Sequence, residues 1–110
     1  FTPHLAPMFR GIMTNIYVEL KPNITPNKIQ RVLTNFYKDN EFIKILKTKK
    51  LLSTNSVINT NYCHISINQT QDKNKIIILS AIDNLIKGGA GQGIQNMNIK
   101  FNFKKNEGLI

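Results

Sequence analysis

Apolar and polar positions alternate from Arg10 to Leu20: Ile12, Thr14, Ile16, Val18 and Leu20 take turns with Gly11, Met13, Asn15, Tyr17 and Glu19. That period of two predicts a strand with one face in the core. Lys21-Pro22-Asn23 breaks it, and Thr25-Pro26 supplies an N-cap followed by proline at the first helical position. Beyond it, Ile29, Val32, Leu33, Phe36 and Tyr37 recur at helical spacing and form one apolar stripe ending near Asp39-Asn40.

Phe42 to Leu46 predicts a short strand, and the polar run from Lys47 to Thr60 has no helical period, so it reads as a long irregular connection. Tyr62 to Ile67 and Lys75 to Ile82 are apolar runs separated by Asn68 to Asn74, whose Asn, Gln and Asp side chains suit a hairpin loop. These two runs are expected to pair antiparallel. After Asp83-Asn84-Leu85-Ile86-Lys87 comes the small-residue cluster Gly88-Gly89-Ala90-Gly91, leading into a helix-compatible end, Gln92 to Asn98. The order predicts an α+β fold: a mixed or antiparallel sheet with helices on one face.

Length adds that the chain holds one small hydrophobic core: 110 residues, 41% of them apolar, suffice for one unit and not for two. The formal charge of +9 points to anionic partners. The lysines, however, are scattered along the chain, and Ile, Asn and Lys contribute 17, 15 and 13 residues, a bias that AT-rich codons produce. A solvated basic surface is therefore expected, with neither nucleic acid nor membrane as a partner. The lone Cys63 leaves no internal disulfide, and no Cys/His spacing suits zinc, so a cytoplasmic protein without a metal is expected.

Candidate chemistry is sparse. His4 lies between Pro3 and Pro7, a stiff loop suited either to a functional histidine or to a hydrogen-bonded structural one. Arg10, beside Gly11, is either a planar clamp for a carboxylate or phosphate or an ordinary surface arginine. Cys63 sits mid-strand and reads as a small core residue. The glycine cluster lacks the Gly-Lys-Ser/Thr ending of a phosphate loop and the spacing of a dinucleotide fingerprint. On a helix, Gly89, Gly93 and Met97 share one face open to close approach. Gln92, Gln95 and Asn96 offer amides that match a carboxamide such as that of nicotinamide. A helix packed through its small residues, with surface amides, accounts for the same pattern.

Four segments together carry a resemblance: Phe1-Thr2-Pro3-His4-Leu5-Ala6-Pro7-Met8, Arg10-Gly11-Ile12, Asn61-Tyr62-Cys63 and the long run from Ser80 to Asn98. In order and over nearly the whole chain, they resemble the C-terminal region of the N-acetyl-gamma-glutamyl-phosphate reductase family. The resemblance implies an NADP-dependent enzyme of arginine biosynthesis that reduces N-acetyl-glutamyl phosphate to the semialdehyde with NADPH and releases phosphate. It further implies a Rossmann cofactor domain, a dehydrogenase-type catalytic and dimerisation domain, and a homo-oligomer. On this reading, residues 1–110 are the C-terminal part of the catalytic and dimerisation domain, with 88–100 the helix that returns to the Rossmann domain. His4 and Arg10 are then substrate-binding, and Gly89, Ala90, Gln95 and Asn96 approach the nicotinamide end of NADP. The family's cysteine nucleophile and catalytic histidine lie in motifs that these 110 residues lack, so no catalytic residue is expected here and the segment alone is expected to be inactive. The chain departs from the family's usual pattern at Phe9, Leu52, His64 and Gly89, and Phe9 bears most on how the Arg10 loop meets substrate.

Overall fold

The computed structural model describes residues 1–47 and 50–110. Four strands form one mixed sheet: β1 (Ile12–Glu19), β2 (Ile43–Ile45), β3 (Cys63–Gln69) and β4 (Lys75–Ile82), in the order β1-β4-β3-β2. β4 pairs antiparallel with both β1 and β3, while β2 runs parallel to β3. A parallel pair needs a connection long enough to bring the chain back to the same end, and residues 46–62, between β2 and β3, supply that length, while helix α1 (Pro26–Phe36) precedes β2. The expected hairpin is present, with its loop at Thr70 to Asn74 closed by Thr70 Oγ1 donating to the carbonyls of Asp72 and Lys75.

α1 starts where the sequence places it, since Thr25 is extended and its hydroxyl accepts from Lys28 N, with Pro26 next in line. The helix lies against β2 and β3, and Gln30 Nε2 donates to Leu46 O at 2.9 Å. Thr48 and Lys49 of the expected irregular connection lie outside the described residues; the rest of it carries a single 3-10 turn, Thr54–Ser56.

β1 departs from expectation. Its alternation is real, and the register sets Ile12 beside Ile82 and Cys63 on one face and Met13 beside Ala81 and His64 on the other. Yet every β1 residue is exposed except the half-buried Val18. The physical reason is position: β1 is the sheet's edge, and α1 lies over β2 and β3 instead, so among the described residues no helix packs along the length of β1's apolar face. The buried apolar core is small, namely Phe42, Leu46, Val57, Ile67, Ile76 and Ala81. The radius of gyration, 15.3 Å, exceeds the roughly 13 Å of a compact chain of this length, in keeping with that spread-out core.

The final helix also differs from its expected span. Ile86–Ala90 forms a π-helical turn, Gly89 has the non-helical angles φ −149° and ψ −115°, and the regular helix α2 runs Gly91–Lys100. Gly89 therefore lies outside the helix that was to align it with Gly93 and Met97. Residues 101–110 fold back: Asn61 N donates to Ile110 O, and the buried Asn98 donates through Nδ2 to Glu107 O at 2.9 Å and Lys105 O at 3.4 Å.

Candidate functional site

β4 ends at a carboxylate, and much of the site hangs on it. Asp83 is fully buried, and its two oxygens accept from three main-chain N–H groups: Leu85 (2.8 Å) and Ile86 (3.0 Å) on Oδ1, Asn59 (2.7 Å) on Oδ2. Arg10 Nε completes the set, 3.1 Å from Oδ1 and 2.9 Å from Oδ2. Burial pushes the Asp83 carboxyl upward, but the hydrogen bonds from Asn59, Ile86, Leu85 and Arg10 outweigh it and hold the group below the usual carboxylate range. Beside it, Gly11 N donates to Asn84 Oδ1 at 2.8 Å. Gly11 has φ +115° and a Cβ there would stand 3.0 Å from Thr54 Cβ, so glycine is required at this close approach. The loop before β1, the turn at Asn59 and the exit from β4 are thus tied together at one node.

Arg10 is accordingly no loose surface arginine. Its Nε edge is taken, its side chain retains 21% exposure, and among the described residues its two terminal nitrogens have no protein partner. His4 is not hydrogen-bonded to it: residues 1–9 are exposed throughout, and among the described residues the His4 ring hydrogen-bonds only with Thr2 O, at 3.1 Å.

At the start of α2 the residues singled out in the sequence part company. Gly89 and Ala90 are exposed, and a Cβ on Gly89 would meet only Asn84 O at 3.5 Å. Gly93 has open space around it, so it serves no close approach within the chain. The glycine that packing requires is Gly91, where a Cβ would fall 2.6 Å from Asn61 Oδ1 and Ile86 Cγ2 and 2.8 Å from Ile86 O. Gln95 is half-buried, and its Oε1 accepts from Asn61 Nδ2 and Lys87 Nζ, each at 2.8 Å. Asn96 is exposed and accepts from Gln92 Nε2 at 2.9 Å.

A groove of about 250 Å³ opens beside this network, its walls including Tyr37, Phe42, Lys87, Gln92, Gln95 and Lys105. Burial lowers the Lys87 ammonium's pKa, partly offset by Cys63, and its Nζ lies 5.5 Å over the Phe42 ring. Cys63 is half-buried, and burial raises its thiol more than Lys87 lowers it, which favours the protonated form. Among the described residues, no cluster of His, Cys, Asp and Glu could hold a metal ion, and no helix is long and apolar enough to cross a membrane.

Asp83, Asn61, Asn98 and Gly91 escaped the sequence reading. Asp83 left a signal: an Asp at the end of an apolar strand and just before a helical turn is the residue type that accepts from the second and third N–H groups that follow. Asn61 left none, since its partner Gln95 is distant in the chain; Gly91 lies in the glycine cluster with nothing local to single it out, and Asn98 bonds to carbonyls of a tail whose return the local pattern does not show.

Comparison with known proteins agrees with this architecture. The family model for the semialdehyde dehydrogenase dimerisation domain matches residues 1–84. The N-acetyl-gamma-glutamyl-phosphate reductase of Clostridium botulinum (strain Alaska E43 / Type E3) is 52% identical over 109 residues, 99% of this chain and 32% of that protein. The enzyme of the same name from Thermoanaerobacter pseudethanolicus is 45% identical over the same shares. A solved structure, aspartate semialdehyde dehydrogenase II from Vibrio cholerae complexed with ASA, superposes with a TM-score of 0.60 over 86% of this chain and 28% of that one; at 15% identity it bears on fold alone. The chain spans about a third of the length of the curated relatives it matches. Its mixed sheet with two helices and the match across all four strands place it in a known group: the chain belongs to the semialdehyde dehydrogenase dimerisation-domain family.

Proposed function

We propose that this chain is the C-terminal part of an NADPH-dependent reductase that converts N-acetyl-glutamyl phosphate to N-acetyl-glutamate semialdehyde and releases phosphate. The observation that carries the reading is the 52% identity, over 99% of the chain, to a protein named N-acetyl-gamma-glutamyl-phosphate reductase. In this reading the nucleophile and most of the cofactor site belong to the remainder of the polypeptide, and 88–100 leads back to the Rossmann domain. The chain contributes contacts and walls.

Arg10 is proposed as the contact for an anionic group of the substrate, because its unengaged nitrogens form the planar fork that meets a carboxylate or phosphate. His4 is proposed on the substrate side as well, as an exposed ring in a proline-bounded loop. For NADP the fit is partial. Gly89 and Ala90 offer exposed backbone that a flat group can approach, and Asn96 offers an exposed amide. Gln95 has spent its oxygen on Asn61 and Lys87, leaving only its amide nitrogen to donate, so it positions its neighbours more than it reads a carboxamide. When bound, the dinucleotide supplies the hydride. The exposed apolar residues of β1 suit a homo-oligomer, as the family's dimerisation domain suggests. The proposed compartment is the cytoplasm, compatible with the free thiol of Cys63.

Purified full-length protein carrying this chain should consume NADPH when given N-acetyl-glutamyl phosphate, whereas the 110-residue chain alone should not. Turnover of aspartyl phosphate only, or of no acyl phosphate, would overturn the assignment.

A further inference from the structure

Arg10 is pinned at both ends. On the backbone side, Gly11 N–H binds Asn84 Oδ1 and the positive φ of Gly11 fixes the chain's exit into β1. On the far side, Nε sits against an Asp83 carboxylate that cannot turn, because main-chain N–H groups of Leu85, Ile86 and Asn59 occupy both of its oxygens. A carboxylate needed only to neutralise a surface arginine requires neither full burial nor three main-chain donors. Those features serve direction: they fix one edge of the guanidinium and leave the other edge open.

We propose that Asp83 is a positioning residue, holding the Nε edge of Arg10 so that its two terminal nitrogens are presented together to an anionic group of an acyl-phosphate substrate. The proposal rests on the reading of Arg10 as the substrate's anion contact. A free arginine loses rotamer freedom when it clamps a ligand; one already held loses little, and both terminal N–H groups reach the anion in parallel. Lysine cannot substitute, because its single ammonium turns to Asp83 and leaves no second edge.

The test uses full-length protein with the variants Arg10→Ala, Arg10→Lys, Asp83→Asn and the double variant Arg10→Ala/Asp83→Asn. KM and kcat are measured for the acyl phosphate, and thermal melting checks folding. Arg10→Ala should raise KM roughly 10- to 100-fold, the worth of a hydrogen bond to a charged group, with a much smaller effect on kcat. Arg10→Lys should raise KM almost as far. Asp83→Asn should raise KM without adding to the effect of Arg10→Ala in the double variant. Added guanidinium ion should restore substrate affinity to Arg10→Ala and not to the double variant, a difference that a purely structural Asp83 would not produce. Strictly additive effects, or Arg10→Lys with KM close to the parent's, would overturn the proposal; the lysine variant decides if Asp83→Asn fails to fold. An unchanged KM in Arg10→Ala would instead remove the underlying assignment of Arg10 to the substrate, and the proposal with it.

Discussion

Gly91→Ala and Gly93→Ala make the same chemical change two residues apart in one helix, and the packing around them predicts opposite signs. Both remove glycine's extra freedom in the unfolded chain, which favours the folded state by about 0.4–1 kcal/mol where the native backbone accepts alanine. Gly91 has helical angles, φ −63° and ψ −38°, so no backbone strain arises there. At Gly93 the new methyl meets nothing within 4 Å, and the variant should be more stable by about 0.5–1 kcal/mol. At Gly91 the methyl would stand 2.6 Å from Asn61 Oδ1 and 2.8 Å from Ile86 O. Ile86 O is main chain and Asn61 is fully buried and tied to Gln95, so neither yields cheaply. Overpacking of this kind costs about 1–3 kcal/mol, which exceeds the gain from alanine for most of that range. Urea and thermal unfolding of the two variants beside the parent measure the difference directly; 1 kcal/mol moves Tm by about 4–8 °C in a domain of up to 100 residues. A Gly91→Ala variant as stable as Gly93→Ala would refute the claim that Gly91 is the close-approach glycine.

Asp83 should make stability fall in acid. Its folded pKa lies below the ordinary value, so its contribution is complete above the unfolded pKa of about 3.9 and is lost as pH drops through the folded value. The urea midpoint should therefore decline on going below pH 4, and Asp83→Asn should flatten that decline; an identical slope in the variant would contradict it. Asn98→Ala removes both amide donations to the returning tail and should cost about 1–3 kcal/mol, read as faster hydrogen exchange and proteolysis within 103–110. Unchanged exchange there would show that the tail is held by other contacts. The 110-residue chain by itself, with Ile12, Met13, Ile16 and Tyr17 of β1 exposed, should self-associate on sizing; a monodisperse monomer at all concentrations would oppose that.

Where periodicity had a local cause, it was a reliable guide. Thr25-Pro26 begins α1 because a cap hydroxyl and a preset φ act within four residues, and the β3–β4 hairpin forms because its loop bonds to itself. The glycine cluster was harder. Its composition announces close approach, yet which glycine meets a neighbour depends on Asn61, thirty residues earlier in the chain. Gln95 likewise looks like a free amide until Lys87 and Asn61 are seen to occupy its oxygen.

The order of elements, the α+β class and the positions of capping and turn residues follow from the one-dimensional pattern, because propensity and periodicity act over a few residues. The burial of β1, the service that each glycine performs and the orientation of Arg10 were decided in three dimensions. β1 alternates as a core strand would, but whether its faces are dry depends on what lies beside it, and here that is an open sheet edge. Arg10 and Asp83 lie 73 residues apart, and no local rule joins them. Only the return of the chain to one point converts an unremarkable arginine and a strand-end aspartate into a fixed pair, since long-range hydrogen bonds have no signature in neighbouring residues.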